Sequence, residues 1–86
     1  MNHILSDNDT EAVHEILVEQ LGVQKTQLTP DARLQGDLGA DSLDVVEISM
    51  AVEDRFNVSL PDESVENVST VGDLQELLAG VLQKQA

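Results

Sequence analysis

The chain has 86 residues, no cysteine, a single aromatic residue, and 17 acids against four basic residues, for a formal charge of −13. That length fits one small domain and leaves no room for a second, and without cysteine neither a disulfide framework nor a cysteine zinc site can add stability. Such a charge repels nucleic-acid backbones and anionic membranes and favours partners that carry basic patches.

The polar residues 1–8 read as a flexible N-terminal extension of a single domain spanning 1–86. No segment pairs a basic stretch with an apolar core and a cleavage site, and none approaches the roughly 20 apolar residues that cross a bilayer. The expectation is a cytoplasmic monomer without membrane insertion.

Val13, Ile16, Leu17 and Leu21 fall at helical spacing, with Asp9 and Thr10 as candidate N-caps and Gly22 as a C-terminal stop, which predicts the first helix. From Val23 to Asp41 the periodicity fades. Thr29-Pro30-Asp31, Gly36 and Gly39 punctuate this stretch, so it reads as a long loop pinned by Leu28, Leu34 and Leu38. A loop of that length is uncommon unless it has a function.

Asp41 and Asp44 stand in a capping-box-like arrangement that puts Ser42 in the first turn of a second helix running to about Arg55. Phe56, Val58 and Leu60 alternate as a strand does, but nothing offers them a pairing partner and Pro61 ends the run, so they read as an extended connector. Asp62 to Val68 predicts a short helix. Thr70 then caps a last helix that carries Val71, Leu74, Leu77, Leu78, Val81 and Leu82, with Gly80 inside it. The fold class is therefore all-α, a four-helix bundle with three longer helices and one short one.

The second helix has two apolar stripes. At about 100° per residue, with Asp44 at zero, Ile48, Val52, Val45 and Phe56 fall at roughly 40 to 120° and Val46, Met50 and Leu43 at roughly 200 to 260°. Ser42, Ser49 and Glu53 separate the stripes on one side, and Glu47 and Asp54 edge the other. A globular helix usually has one broad core face. Two readings fit the second stripe: a small bundle that buries both, or a docking surface of aliphatics with an acidic rim. The adaptable thioether of Met50 favours docking, although it fills core gaps as readily.

The run Leu38-Gly39-Ala40-Asp41-Ser42-Leu43 places a serine where a loop becomes a helix, and ten of the 17 acids fall between Asp31 and Glu66 around it. A catalytic serine needs a base and an oxyanion hole. The candidate imidazoles, His3 and His14, are both far upstream, and the second glycine of a nucleophile elbow is missing. Ser42 is better read as the substrate of another enzyme, at a helix N-terminus that favours an attached phosphate. Calcium binding fails on spacing: a 12-residue loop counted from Asp31 puts Arg33 and Gln35 at ligand positions and Ser42 last, and one counted from Asp37 ends on Ile48. No metal site is expected.

These residues resemble an acyl carrier protein, the four-helix phosphopantetheine-bearing carrier of bacterial type II fatty-acid and polyketide synthesis. The resemblance covers nearly the whole chain. It runs through Glu19-Gln20-Leu21-Gly22-Val23, then Asp37-Leu38-Gly39-Ala40-Asp41-Ser42-Leu43-Asp44, Val46-Glu47 with Met50-Ala51, Phe56, Leu60-Pro61-Asp62-Glu63 and Thr70-Val71. It implies a non-catalytic protein to which a phosphopantetheinyl transferase, the holo-carrier synthase, attaches 4′-phosphopantetheine at Ser42. Acyl groups would then ride on the arm as thioesters.

The resemblance further implies that Asp41, Leu43, Asp44, Val46, Glu47, Met50, Glu53 and Asp54 meet basic docking patches on ketosynthases, acyltransferases, reductases and dehydratases. It places Leu34, Val46, Val52, Leu60 and Val68 around a sequestered acyl chain, positions that also read as ordinary core. Gly36 and Ser49 depart from the fatty-acid pattern. A specialised polyketide or aminoacyl carrier, or a small acidic helical adaptor with no prosthetic group, are the alternative readings.

Overall fold

Ser6 decides where the first helix begins. Its backbone is extended and its hydroxyl accepts the Asp9 N–H at 3.2 Å, so α1 spans Asp7–Leu21 and ends at Gly22 in the left-handed conformation. The cap thus lies upstream of Asp9 and Thr10, the expected caps, because Asp7 and Asp9 themselves sit in the first turn, where their charges favour the helix dipole. Two residues of the expected extension, Asp7 and Asn8, are helical, and Leu5 is buried in the core. The computed structural model describes residues 5–85, and the rest of that extension, residues 1–4, lies outside them.

The remaining helices are α2 (Ser42–Phe56), α3 (Asp62–Glu66) and α4 (Val71–Gln85), with one 3-10 turn at Lys25–Gln27 in the long loop. There is no β-strand among the described residues. Helix α3 is shorter than the sequence implied. Its last turn closes at Asn67, which donates to Ser64 O and is followed by Val68 donating to Val65 O, a tightening that stops propagation.

One core joins α1, α2, α4, the loop and the connector, with Val65 of α3 packed against it. Val13 and Leu17 of α1, Ile48 and Val52 of α2, Val71, Leu74 and Leu78 of α4, and Val58 and Leu60 of the connector pack together with Leu28, Leu34, Leu38 and Ala40 of the loop. Each such leucine contributes about 1.5–3 kcal/mol by leaving water. Apolar pins alone do not hold a loop this long in one conformation, because every ordered residue costs about 1–2 kcal/mol of backbone entropy.

Backbone hydrogen bonds supply the rest. Leu34 N donates to Ser69 O at 2.9 Å, Val71 N to Ala32 O at 2.9 Å and Gly72 N to Pro30 O at 2.8 Å, so the loop is stapled to the start of α4. These bonds also use two N–H groups that the first turn of any helix leaves without an internal partner. The staple requires glycine at position 72, since a Cβ there would stand 2.8 Å from Pro30 O. Farther on, Gly39 at φ +75° turns the loop toward Asp41 in a conformation that favours glycine.

Thr70 and Asp73 complete the cap of α4. Asp73 N donates to Thr70 Oγ1 at 3.0 Å, and one carboxylate oxygen of Asp73 accepts Ser69 N at 3.0 Å and Thr70 N at 3.1 Å. The Ser69 N–H is the main reason the Asp73 carboxyl lies below the usual aspartate value, with Thr70 adding to the effect and partial burial opposing it. Asp37 is lowered in the same way, chiefly by the Arg33 backbone N–H and then by the Arg33 side chain. A carboxyl held below its unfolded value adds stability that is complete above that value and is lost as pH falls through the folded one. We therefore expect Asp73→Ala to be less stable than wild type at neutral pH by about 1 kcal/mol, the usual size of a cap contribution. The gap in melting temperature should close as pH falls below about 4. Circular dichroism must follow the melt, since the chain has no Trp or Tyr.

Candidate functional site

Helix α2 is built to expose its first residue. Asp41 is its N-cap: the Asp41 carboxylate accepts Asp44 N at 2.8 Å while the Asp44 carboxylate accepts Asp41 N at 3.1 Å, a reciprocal capping box. Ser42 follows as the first helical residue and is exposed. The loop behind it is fixed by Ala40 N donating to Leu34 O at 2.9 Å and by the burial of Leu38 and Ala40. The serine hydroxyl therefore stands at a defined place in front of a rigid platform.

The two stripes of α2 have different fates. Ile48 and Val52 are buried, with Val45 and Phe56 packed against the same core. Leu43, Val46 and Met50 are 63%, 50% and 58% exposed and are the large hydrophobic residues that the described surface leaves in water. The second stripe is thus not core. Asp41, Glu47 and Asp54 are exposed around it, and Asp44 and Glu53 are half-buried. Glu47 accepts a hydrogen bond from Gln20 of α1, and Glu53 accepts the Leu60 N–H at 2.8 Å, which ties the connector to α2.

Beside Ser42 lies a groove of about 240 Å³ lined by Gln35, Val45, Val46, Val65, Glu66 and Val68. A second groove of about 340 Å³ between α2 and α3 shares Val46, Val65 and Glu66 with it and reaches Leu60. Of the residues expected around an acyl chain, Val46 and Val68 border the first groove and Val46 and Leu60 the second. Leu34 and Val52 do not line either, because both are closed off in the core.

Val65 and Glu66 were not picked out from the sequence. No local pattern shows that the connector folds α3 back over the start of α2. Ser49, which separates the two stripes, is buried at 7% exposure. Its hydroxyl donates to Val45 O at 2.9 Å, which satisfies it within its own helix.

Among the described residues no hydrolytic machinery stands at Ser42. His14 sits on α1 within 3.3 Å of Gln75 on α4, and no histidine lines the groove at Ser42; His3 lies outside the described residues. Among the described residues no group of three acidic or imidazole side chains converges on a metal position, and no helix is long and apolar enough to cross a membrane.

The phosphopantetheine attachment site family matches residues 11–78, and the chain belongs to it. Members of this family are carriers rather than catalysts. They hold a covalently attached 4′-phosphopantetheine and work through transferase and synthase enzymes. The residues present fit that group, because an exposed serine hydroxyl opens a helix and a partly apolar groove begins beside it.

The exposure of the second stripe has a direct consequence for stability. Leu43→Ala and Met50→Ala should each stay within about 0.5 kcal/mol of wild type, as surface changes do. Ile48→Ala on the opposite face should cost about 2–5 kcal/mol. Thermal melts of the three variants distinguish the faces, and a large loss at Met50 would return the second stripe to the interior.

Proposed function

We propose that the chain is an acyl carrier protein of the type II class, serving fatty-acid or related polyketide or lipid synthesis, and that Ser42 is its attachment point. The observation that carries this reading is the exposed serine on the first turn of α2 beneath the Asp41–Asp44 capping box. When bound, 4′-phosphopantetheine supplies a terminal thiol that holds acyl groups as thioesters, chemistry that a chain without cysteine does not supply itself.

Ser42 is the nucleophile for its own modification, inside a transferase. Its Oγ would give its proton to a base of the transferase and form a new P–O bond, while the pyrophosphate linkage of coenzyme A breaks and the nucleotide half leaves with the second phosphate. The platform behind it keeps the hydroxyl forward. The positive end of the α2 dipole favours the phosphodiester, and this offsets part of the repulsion from Asp41 and Asp44.

Partner enzymes dock on the exposed stripe of Leu43, Val46 and Met50. The surrounding acids, Asp41, Asp44, Glu47, Glu53 and Asp54, set the polarity of the partner, which must be basic around an apolar centre. That order of roles follows from burial: the aliphatics lose water on docking, whereas rim charges act chiefly on association rate.

Incubation with coenzyme A and a phosphopantetheinyl transferase tests the assignment by intact mass. The wild-type chain should gain one phosphopantetheine and Ser42→Ala none, while keeping its helix content. An alanine variant that still gains the group would move the attachment point elsewhere. For docking, Glu47→Lys combined with Asp54→Lys should slow acyl transfer by partner enzymes at low salt, with the deficit shrinking as salt is added. Unchanged kinetics at low salt would place the docking face off α2.

A further inference from the structure

Ser49 is the one buried polar side chain among the described residues, and it lines the groove between α2 and α3. A hydroxyl has one donor and two acceptor lone pairs. Because the donor is committed to Val45 O at 2.9 Å, what remains at that oxygen is acceptor capacity. Glu53, one turn farther along α2, lines the same groove with a carboxylate that already accepts the Leu60 N–H. One wall of the groove therefore offers acceptors, while Val46, Leu60 and Val65 provide apolar surface.

The groove beside Ser42 and the groove at Ser49 share Val46, Val65 and Glu66, so they adjoin across these three side chains, and a chain presented from Ser42 that passes over them reaches the wall that holds Ser49 and Leu60. A saturated chain laid across these grooves covers the Ser49 oxygen with methylenes and leaves its free lone pairs without a partner. A chain with a hydroxyl donates to that oxygen instead. A keto group brings only another acceptor and gains nothing at such a wall.

We propose that Ser49 is a specificity-determining residue, which makes the α2–α3 groove favour acyl cargo bearing a hydroxyl over saturated or keto cargo of the same length. This rests on the reading of Ser42 as the point from which cargo is presented. The preference is graded, because the Ser49 hydroxyl keeps its bond to Val45 O whatever lies in the groove and only lone pairs are at stake.

The test loads saturated, β-hydroxy and β-keto acyl groups of equal length from their coenzyme A thioesters with a phosphopantetheinyl transferase. Thioester cleavage by added hydroxylamine is then timed, each rate being divided by that of the same acyl group on free pantetheine. In the wild-type chain the hydroxyacyl form should be protected about fivefold more than the saturated one, the effect of one net hydrogen bond. The keto form should be protected no more than the saturated form. Ser49→Val should abolish the ranking, and Ser49→Thr, which keeps the oxygen, should restore it. Each ratio is taken within one variant, so a general loss of stability cancels.

Equal protection of hydroxyacyl and saturated forms in the wild type overturns the proposal, as does a preference that survives in Ser49→Val. A wild-type chain that accepts no acyl-phosphopantetheine at all, judged by intact mass, overturns the Ser42 reading and the cargo preference with it. Loading without ranking overturns the preference alone.

Discussion

Three backbone hydrogen bonds staple residues 30–34 to the start of α4, and the placing of both the core and Ser42 follows from them. Pro30 and Ala32 give their carbonyls to Gly72 and Val71, and Leu34 takes its partner from Ser69. This fixes a loop that has no regular helix or strand of its own beyond a 3-10 turn. With the loop held, Leu34, Leu38 and Ala40 enter the core at set positions, Gly39 turns the chain outward and Ser42 is delivered to the surface. The exchange is mutual, because α4 would otherwise begin with two unpartnered N–H groups.

Helix α2 carries two jobs that conflict in an ordinary amphipathic helix. Ile48 and Val52 tie it to the core, and Leu43, Val46 and Met50 stay in water on the far side. Leaving aliphatics exposed forgoes burial energy. The acidic surroundings make that arrangement workable, since like charge on every copy of the chain discourages self-association through the stripe and, in the proposed function, would draw in a basic partner. A carrier must be released as well as bound, and a small apolar patch with rim charges suits the proposed docking, because such contacts form quickly without becoming permanent.

Family membership and geometry answer different questions. The match to residues 11–78 defines a non-catalytic carrier with a covalent phosphopantetheine. The fold adds an exposed serine with no histidine in its groove among the described residues, an exposed apolar stripe separate from the core, and two adjoining grooves, one beside that serine and one between α2 and α3. Val46 belongs to both the stripe and the grooves, so in the proposed function partner contact and cargo contact would meet on one side chain. Movement of α3 would alter both together, and its approach is held to α2 by the Glu53 carboxylate on Leu60 N.

The four helices, the caps at Asp41 and Thr70, the core face of α2 and the placing of Ser42 in a first turn were all legible in the sequence. Each of these is a local property: helical periodicity, capping chemistry and dipole preference act within a few residues. The sequence misjudged the start of α1, because Ser6 competed with Asp9 and Thr10 as a cap and only the path of the chain, with Leu5 buried beside it, favours one. It could not say whether Leu43, Val46 and Met50 were core or surface, since pattern reveals that a stripe is apolar but not whether another element covers it. The tertiary structure decided that, together with the closing of Ser49 and the arrival of Val65 and Glu66 beside Ser42. All three depend on where α3 packs, and a five-residue helix positioned by a connector and one carboxylate leaves no periodic signal from which its neighbours can be read.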